Sequence, residues 1–411
     1  MLVSIAWQSL VSRRKTVFLT FLSLVVSISV LISVEHIRLQ AKESFNRTIS
    51  GVDLIVGAPS GELNLLLYSV FRMGNPTNNI KYDSFTMLKA NPSVAWAIPI
   101  SLGDSHRGFR VMGTNSDYFT HFKYGNDKPL SLATGKTFDG PFDTVIGSDV
   151  AISLGYQQGD QIVIAHGIGS TSFVNHKQAP FTVTGILAPT GTPVDKTVHV
   201  SLPAIEAIHL PPSQLQKLVD NPQLQLPQPN SITSVILGLS SKFATFTLQR
   251  QINNYQDDRL MALLPGVAMA QLWQLMANVE NLLKIIGYLV LLASLFGLAT
   301  MLLATMNERQ REIAVFRILG ASPKLIVSLV ILEALIISIL ALLFSLAVVT
   351  LSLTVLDSWL AAEYGLFLSN NVLSPDLFIL SSIIMGATLL TALVPGLEAY
   401  KKVLHSQLSC R

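Results

Sequence analysis

One apolar run decides the fold: Leu282–Met306, LLKIIGYLVLLASLFGLATMLLATM, in which Lys284 is the one charged residue. A helix needs about 20 mostly apolar residues to cross a hydrocarbon core of roughly 30 Å. The run satisfies this requirement, and three more stretches satisfy it or nearly do: Val17–Val34, Leu325–Leu356 and Leu377–Leu397. The sequence therefore predicts an integral membrane protein with four transmembrane helices. Lys284 is expected to extend its ammonium group to the headgroups.

The residues that precede this run continue its helical pattern. Apolar side chains recur at helical spacing directly into it: Met269, Leu272, Trp273, Met276, Val279 and Leu283. One helix over residues 268–306 would be about 58 Å long and would extend beyond the bilayer as a stalk. Gly287 and Gly297 leave open a kinked pair of helices instead. After the first span, Glu35–Ser50 lacks Gly and Pro, so that helix is also expected to project from the membrane.

The residues that follow the run, 307–323, predict a short helix across the inner membrane face. Asn307 can cap its start, and Gly320 can end it in a left-handed conformation. Ser322 and Pro323 then form a cap and a first helical residue for the third span. The segment offers four apolar side chains for burial: Ile313, Val315, Phe316 and Leu319. Burial in lipid headgroups is the alternative, but it does not explain the two acidic residues beside them, Glu308 and Glu312.

The distribution of charge predicts the topology. Positive residues mark the cytoplasmic ends of membrane helices. Here they precede span one, separate spans two and three, and follow span four: Arg13, Arg14, Lys15, Arg309, Arg311, Arg317, Lys324, Lys401, Lys402 and Arg411. The segment between spans three and four instead holds acidic residues and no Lys or Arg. Both termini are therefore expected in the cytoplasm and the large middle segment outside.

Composition agrees with this organisation. Half of the 411 residues are hydrophobic and 13% are charged, against about a quarter in soluble domains. The net charge of +3 is small, and no nucleic acid is expected as a partner. Cys410 is the single cysteine, so the outer domain has no disulfide and must rely on its own core.

The outer domain, residues 51–267, mixes strands and helices. Short β-rich runs bounded by Gly, Pro and Asp predict strands at Val52–Val56, Val94–Ile100, Gly108–Met112, Thr144–Ile146, Gln161–Ala165, Phe181–Leu187, Thr197–Val200 and Ser231–Leu239. Helices are predicted at Ser60–Phe71, Ser84–Ala90, Ser148–Gly155 and Phe243–Tyr255. Residues 211–230, rich in Pro, Gln and Asn, are predicted to form a loop.

The sequence contains no phosphate-binding loop. The nearest match to G-x-x-x-x-G-K-[ST] is Gly135–Lys136–Thr137, which has Leu130 where the first Gly is required and lies in the outer domain. The chain is therefore not expected to hydrolyse ATP by itself.

The segment E-R-Q-R-E-I-A-V-F-R-I-L-G-A-S-P, which continues to Glu333–Ala334, closely resembles the cytoplasmic signature of the MacB/LolC/FtsX family of ABC transporter permeases. Thr144–Ile164 and Phe181–Val200 resemble the family's periplasmic core domain, and Pro395–Tyr400 resembles its ending after span four. The resemblance covers nearly the whole chain and is weakest over residues 60–90 and 205–230.

The resemblance implies an α-helical membrane protein of the bacterial inner membrane, with a mixed α+β periplasmic domain inserted between helices 1 and 2. The permease would work as a homo- or heterodimer with a separate ABC ATPase subunit, which binds ATP; this chain has no fused ATPase, no cofactor and no catalytic residue. ATP-driven closure would move the stalks and periplasmic domains instead of opening a channel (mechanotransmission). The implied ATPase-coupling residues are Glu308, Arg309, Arg311, Glu312, Ile313, Phe316, Arg317, Leu319 and Gly320.

Three functions stay open at this point. The leading hypothesis is a transporter that handles a lipoprotein, lipid, peptide or small amphiphile at the periplasmic face, with a possible periplasmic adaptor. The second is FtsX-like signalling, in which the same movement activates a periplasmic partner without transport. The third and weakest is metal export or trafficking.

Glu333 and the histidines of the outer domain are the remaining candidates for a functional role. Glu333 lies inside the third span and is a functional candidate by default, although an interfacial or structural role fits the excess length of that span. Six of the eight histidines lie in the outer domain without the tight spacing of a metal motif, so no metal site is predicted: His106, His121, His166, His176, His199 and His209.

The predicted organisation follows from these observations. At the start of the chain, Val3, Ala6, Trp7, Leu10 and Val11 recur at helical spacing and predict an interfacial helix, with accidental periodicity as the alternative. The segments are a cytoplasmic-face helix (1–16), transmembrane helix 1 with its stalk (17–50), a periplasmic domain of one or two subdomains (51–267), a stalk with transmembrane helix 2 (268–306), a coupling helix (307–322), transmembrane helix 3 (323–356), a periplasmic loop (357–376), transmembrane helix 4 (377–398) and a cytoplasmic tail (399–411).

Overall fold

Long apolar helices form one part of the chain and a β-sheet forms the other. The computed structural model describes residues 2–125, 127–167, 178–221, 224, 226–308, 315, 321–364 and 374–408. The chain divides into two compact units, a helical unit (Met1–Gln40, Ala277–Trp359 and Leu368–Arg411) and a sheet unit (Ala41–Met276 and Leu360–Phe367). The helical unit contains the four apolar runs, and the sheet unit contains the predicted outer domain.

The α-helices of the described residues are α1 (Leu2–Ser12), α2 (Arg14–Arg47), α3 (Glu62–Ser69), α4 (Tyr82–Lys89), α5 (Asp117–His121), α6 (Ser148–Leu154), α7 (Leu202–Ile208), α8 (Pro212–Asp220), α9 (Thr245–Asn253), α10 (Pro265–Glu308), α11 (Pro323–Tyr364) and α12 (Pro375–Leu408). Within this part of the chain, α2, α10, α11 and α12 are long and apolar enough to cross a membrane, which confirms the four predicted spans. The predicted N-terminal helix corresponds to α1.

The two predicted stalks are continuations of the membrane helices. Helix α2 runs unbroken to Arg47. Helix α10 passes through Gly287 and Gly297 as one helix of 44 residues, so the alternative of two separate helices is not observed. At 1.5 Å per residue α10 is about 66 Å long, roughly twice the thickness of a hydrocarbon core.

Two boundaries near the end of the chain differ from the prediction. The loop predicted over 357–376 begins as helix, because α11 continues to Tyr364 through eight residues that lack Gly and Pro; residues 365–373 lie outside the described part. The tail predicted over 399–411 is also helical as far as Leu408, since α12 passes through Pro395 without ending. Proline is tolerated in membrane helices where neighbouring groups satisfy the freed carbonyl.

The strands are β1 (Leu54–Gly57), β2 (Ile80–Lys81), β3 (Val94–His106), β4 (Phe109–Thr114), β5 (Lys123–Tyr124), β6 (Lys128–Pro129), β7 (Leu132–Gly135), β8 (Asp143–Ile146), β9 (Gln161–Ile162), β10 (Ala165–His166), β11 (Phe181–Leu187), β12 (Thr197–Ser201), β13 (Ser231–Ile232), β14 (Ser234–Leu239) and β15 (Met261–Leu263). In the described residues, eleven of them form one sheet in the order β15-β1-β14-β3-β4-β12-β8-β11-β7, with β10 on β3 and β9 on β11.

Strand β3 joins the two halves of this sheet. Its first part, Val94–Ile100, pairs with β14, and its second part pairs with β4 and β10. Most pairs are antiparallel, but β12 lies parallel to β4 and β11 lies parallel to β8. In the described residues the other four strands form two separate pairs, β2 with β13 and β5 with β6. The choice between one and two subdomains stays a prediction.

Three hydrophobic clusters form the core of the sheet unit. The first packs under α3 and α5 around Leu66 and Tyr118, the second under α4 and α9 around Phe85 and Leu248, and the third under α6 and α7 around Ile205. Strand β11 shows how the sequence specifies this packing, because its side chains alternate between buried and half-buried along the whole strand.

Every predicted strand and helix of this domain has a counterpart, with ends shifted by a few residues. One prediction is wrong: residues 211–230 are not all loop, because α8 occupies Pro212–Asp220 and buries Leu215 in the third cluster. A proline at the first helical position favours a helix start, and this outweighed the loop-like composition. Short strands such as β7 and β15 had no distinctive pattern and were not predicted.

The last strand leads directly into α10. Strand β15 pairs with β1 in register Ile55↔Leu263, and Leu264 is the one residue between β15 and the start of α10 at Pro265. The first cluster also receives Ala268 and Met269 from the first turns of α10. This end of α10 is therefore part of the core of the sheet unit.

Candidate functional site

Most of the predicted coupling segment lies outside the described residues. This applies to Arg309, Arg311, Glu312, Ile313, Phe316, Arg317, Leu319 and Gly320. Glu308 is the last residue of α10, and Val315 is helical and 55% exposed. Helix α11 begins at Pro323, as predicted, and the Leu325 N–H donates to the backbone carbonyl of Ser322 in its first turn. The role of the segment stays a prediction.

Glu333, the intramembrane candidate, is fully buried inside the helical unit. It lies on α11 ten residues after Pro323 and one residue before Ala334, which is also fully buried. Its carboxylate is therefore not exposed at the surface of the described part of the chain, and its functional role stays a prediction.

Helices α2 and α10 are joined at membrane depth by serine hydroxyls. The Oγ of Ser294 on α10 lies 3.1 Å from the Oγ of Ser23 and 2.5 Å from the Oγ of Ser27 on α2. Helix α11 joins the same group, because the Ser345 hydroxyl donates to the carbonyl of Val25 at 2.9 Å. Small polar residues of this kind allow close helix approach and hydrogen bonding inside membranes.

Two turns from Ser294 towards the start of α10, Gly287 sets the helix separation. A Cβ at Gly287 would lie 2.5 Å from Cδ2 of Leu31 on α2, whereas a Cβ at Gly297 would meet no atom within 4 Å. Gly287 therefore packs against α2, and Gly297 does not. Gly287 and Gly297, at which the sequence allowed a kink, thus have different roles in one continuous helix.

A cluster of four charged side chains continues this contact one further turn along α10. Arg38 of α2 lies 2.5 Å from Glu35 and 3.5 Å from Glu280 of α10. Lys284 of α10 lies 3.5 Å from Glu35. The side chains are 21–33% exposed, so water screens these ion pairs only in part. Alternating charges thus link α2 and α10, where the sequence predicted that Lys284 extends to the headgroups.

A pocket opens beside this cluster, between α2, α10 and α12. Its volume is about 180 Å³. It is lined by charged residues at one end and apolar residues at the other: Leu31, Val34, Glu35, Lys284, Tyr288, Asp376, Ile379, Leu380 and Ile383. Sequence reasoning missed this site. The signal available in the sequence was a charged residue at the predicted outer end of three apolar runs.

In the sheet unit, α2 and α10 are held by aromatic side chains. The ring of Phe45, near the end of α2, lies 4.6 Å from Phe71 and 5.8 Å from Trp273 of α10. Both partners belong to or pack against the first hydrophobic cluster. Each of the two long helices therefore has packed contacts in the helical unit and in the sheet unit.

The histidines do not form a metal site in the described part of the chain, where no group of three or more His, Cys, Asp or Glu could hold an ion. His106 contacts the carbonyl of Val163 and the hydroxyl of Tyr156, and the ring of His121 stacks on Trp96. His209 is exposed. The side chain of His166 and all of His176 lie outside the described residues.

The remaining histidine belongs to a buried polar group in the core. His199 is fully buried, and burial together with the charge of Arg72 lowers its pKa to about 3. Burial also raises the pKa of Tyr118, whose ring lies 5.2 Å from His199, to about 12. Both side chains are thus neutral in the folded protein at physiological pH, which suits a packed core.

Gly135 and Lys136, the nearest match to a phosphate loop in the sequence, have a structural role. Gly135 ends strand β7 with a φ of 80°, and a Cβ there would overlap the carbonyl oxygen of Thr184, which precedes Gly185 on β11. Lys136 is paired with Asp139 at 2.5 Å. The glycine therefore allows two strands to approach, and no helix follows it as a phosphate loop would require.

The fold defines a multi-pass membrane protein with a mixed α/β domain inserted between its first and second spans. The family model of the MacB-like periplasmic core domain matches residues 17–255, more than half of the chain, and the model of the FtsX-like permease C-terminal region matches residues 284–404. The chain belongs to the MacB/FtsX family of membrane permeases. The family and fold class expected from the sequence are confirmed.

Among solved structures, the chain is similar to the crystal structure of the periplasmic region of MacB from Actinobacillus actinomycetemcomitans. The two are 11% identical with a TM-score of 0.35, over 55% of this chain and 94% of that one. No curated protein matches the chain. The family assignment rests on the two family models.

Proposed function

We propose that this chain is the permease subunit of an ABC transporter of the bacterial inner membrane, driven by a separate ATPase. ATP-driven closure of the ATPase would move α2 and α10, and these would move the sheet unit. The cargo would be a lipid, a lipoprotein or another amphiphile handled at the outer membrane face. The chain would supply no catalytic residue, and two permease subunits would sit on an ATPase dimer.

The observation that carries this proposal is the continuity of α2 and α10. Each is a single helix with packed contacts in both units: the serine and charged contacts in one, and Phe45 and Trp273 in the other. A flexible linker would absorb a displacement at one end, whereas a helix packed at both ends transmits it. Such an arrangement suits a protein that works by movement.

The membrane helices support this choice over a solute channel. Some polar side chains of the described membrane helices join two helices, such as Ser27 with Ser294 and Thr388 with Ser338 at 3.1 Å. Others, such as Thr20 and Thr391, donate to carbonyls of their own helix. A solute pathway needs polar side chains that face a water-filled space. The energy of ATP hydrolysis would therefore move the sheet unit and would not open a solute channel.

The first prediction tests the coupling segment. Phe316→Asp places a charge in the centre of the apolar face that the sequence offers to an ATPase, so it should abolish co-purification of the ATPase with the full-length chain while membrane insertion continues. The matched control is Phe243→Asp, because Phe243 of the sheet unit is 95% exposed and the same substitution disturbs no packing there. Pull-down from solubilised membranes measures both.

Retention of the ATPase by the Phe316→Asp protein would contradict the docking role. Equal loss with both variants would point to a general defect and would also count against it. FtsX-like signalling is separated by a second measurement on the wild-type complex. Bound lipid or lipoprotein that is released when ATP is added supports transport, whereas a stoichiometric periplasmic hydrolase without such release supports signalling.

A further inference from the structure

We infer that the pocket between α2, α10 and α12 binds the headgroup of a phospholipid that carries a primary ammonium group, such as phosphatidylethanolamine. The inference concerns lipid binding by the permease alone, so it can be tested without nucleotide or ATPase and stands or falls separately from the proposed coupling.

On all three helices, charged and apolar side chains follow one another along the pocket in the same order. On each, a charged residue is followed one turn deeper in the apolar run by a hydrophobic residue: Glu35 and Leu31 on α2, Lys284 and Tyr288 on α10, and Asp376 and Leu380 on α12. One end of the pocket is therefore polar and the other apolar. An amphiphile aligned with the membrane normal matches this order.

The apolar end is open to the lipid-facing side of the helices. Leu31 and Leu380 form its back, at 5% and 7% exposed, whereas Ile379 and Ile383 on α12 are 60% and 46% exposed. The volume of about 180 Å³ is below the roughly 300 Å³ of the smallest usual ligand pockets. It suits a headgroup with its first methylenes, and the acyl chains would lie along the exposed isoleucines.

The charges define which headgroup fits. The lining has two carboxylates and one ammonium group, and the ammonium of Lys284 lies 3.5 Å from Glu35. No ion pair with Asp376 is found in the part of the chain that the structure describes. A phosphate can contact Lys284 while an ammonium group donates hydrogen bonds to Asp376. Choline has no N–H to donate, and glycerol carries no positive charge.

A purely structural role for Asp376 is the competing explanation. It lies in the first turn of α12, where a negative charge interacts favourably with the helix dipole. That role would affect stability but would not select between headgroups. The experiment therefore measures headgroup preference and not stability alone.

The test uses native mass spectrometry of the full-length protein in lipid-free detergent, with dihexanoyl phosphatidylethanolamine, phosphatidylcholine and phosphatidylglycerol as probes at equal concentration. We expect the ethanolamine lipid to be bound at least about fivefold more than the other two. Asp376→Asn should reduce it to the level of the choline lipid. Glu398→Gln, an exposed carboxylate on the same helix α12, is the matched control and should retain the preference.

A second substitution tests the pocket without altering charge. Leu380→Trp fills the back of the pocket and should reduce binding of all three probes; if it does not fold, Ile383→Trp at the exposed opening replaces it. Equal binding of the three lipids by the wild type, an ethanolamine preference that survives Asp376→Asn, or unchanged binding with the pocket filled would each overturn the inference.

Discussion

His199 is a buried ionisable side chain at the centre of the sheet unit. Its Nδ1 lies 3.1 Å from the carbonyl oxygen of Val145, and the rings of Tyr118 and Phe119 pack at 5.2 and 5.8 Å. Its pKa of about 3 in the folded state is below the value of roughly 6.5 in an unfolded chain. The unfolded state therefore takes up the proton first as the pH falls.

This difference predicts how stability depends on pH. The contribution of His199 is complete above pH 6.5 and is lost as the pH falls from there towards 3, at up to about 1.4 kcal/mol per pH unit. Between pH 7 and 5 the free energy of unfolding of the sheet should fall by about 2 kcal/mol. Hydrogen exchange of the β8 and β12 amides, corrected for the intrinsic rate, measures it. His199→Gln should remove most of this fall, and the exposed His209→Gln should not. An unchanged pH dependence in His199→Gln would count against the assignment.

Helices α2 and α10 form the pair on which the proposed movement depends. Their contacts are of four kinds: hydroxyls at Ser27 and Ser294, van der Waals contact at Gly287 and Leu31, the charged cluster around Arg38, and the aromatic rings of Phe45 and Trp273. Because the contacts are spaced along the helices, the pair resists both sliding and separation. The glycine contact can be changed without altering any charge.

Gly287→Val should force the two helices apart, since even a Cβ at this position lies too close to Leu31. Overpacking of this kind costs about 1–3 kcal/mol. The readout is disulfide formation between Ser27→Cys and Ser294→Cys in a protein with Cys410→Ser. The bond should form readily, and Gly287→Val should slow it about tenfold. Gly297→Val, on the same helix but facing open space, is the matched control and should have no such effect. An equal rate in both variants would disprove the close contact at Gly287.

The sequence predicted the elements far better than their partners. Strand β11 was predicted with its observed ends, because alternation of buried side chains is a local property. The charged cluster was not foreseen, because Arg38 and Glu280 are 242 positions apart and nothing in either helix alone reveals the other. Helix α8 was missed for a different reason: a single buried leucine, Leu215, holds it against α7 in a segment of loop-like composition.

The proposed function depends on which side of the membrane each segment occupies. The basic residues predict that Arg311 lies in the cytoplasm and the sheet unit outside. In a Cys410→Ser background, a membrane-impermeant maleimide applied to intact cells with a permeabilised outer membrane should label Phe243→Cys. It should label Arg311→Cys only after lysis. Labelling of Arg311→Cys from outside would invert the orientation and rule out docking to a cytoplasmic ATPase.

The single residue between β15 and α10 has a mechanical consequence. Because Leu264 alone connects the two elements, the junction cannot lengthen appreciably. Any shift of the α10 terminus is imposed at once on an edge strand that is hydrogen-bonded to β1. Under the proposed function, a few glycines inserted at this junction would add compliance and would be expected to uncouple ATP hydrolysis from movement of the sheet unit, although α10 and the sheet are each unchanged.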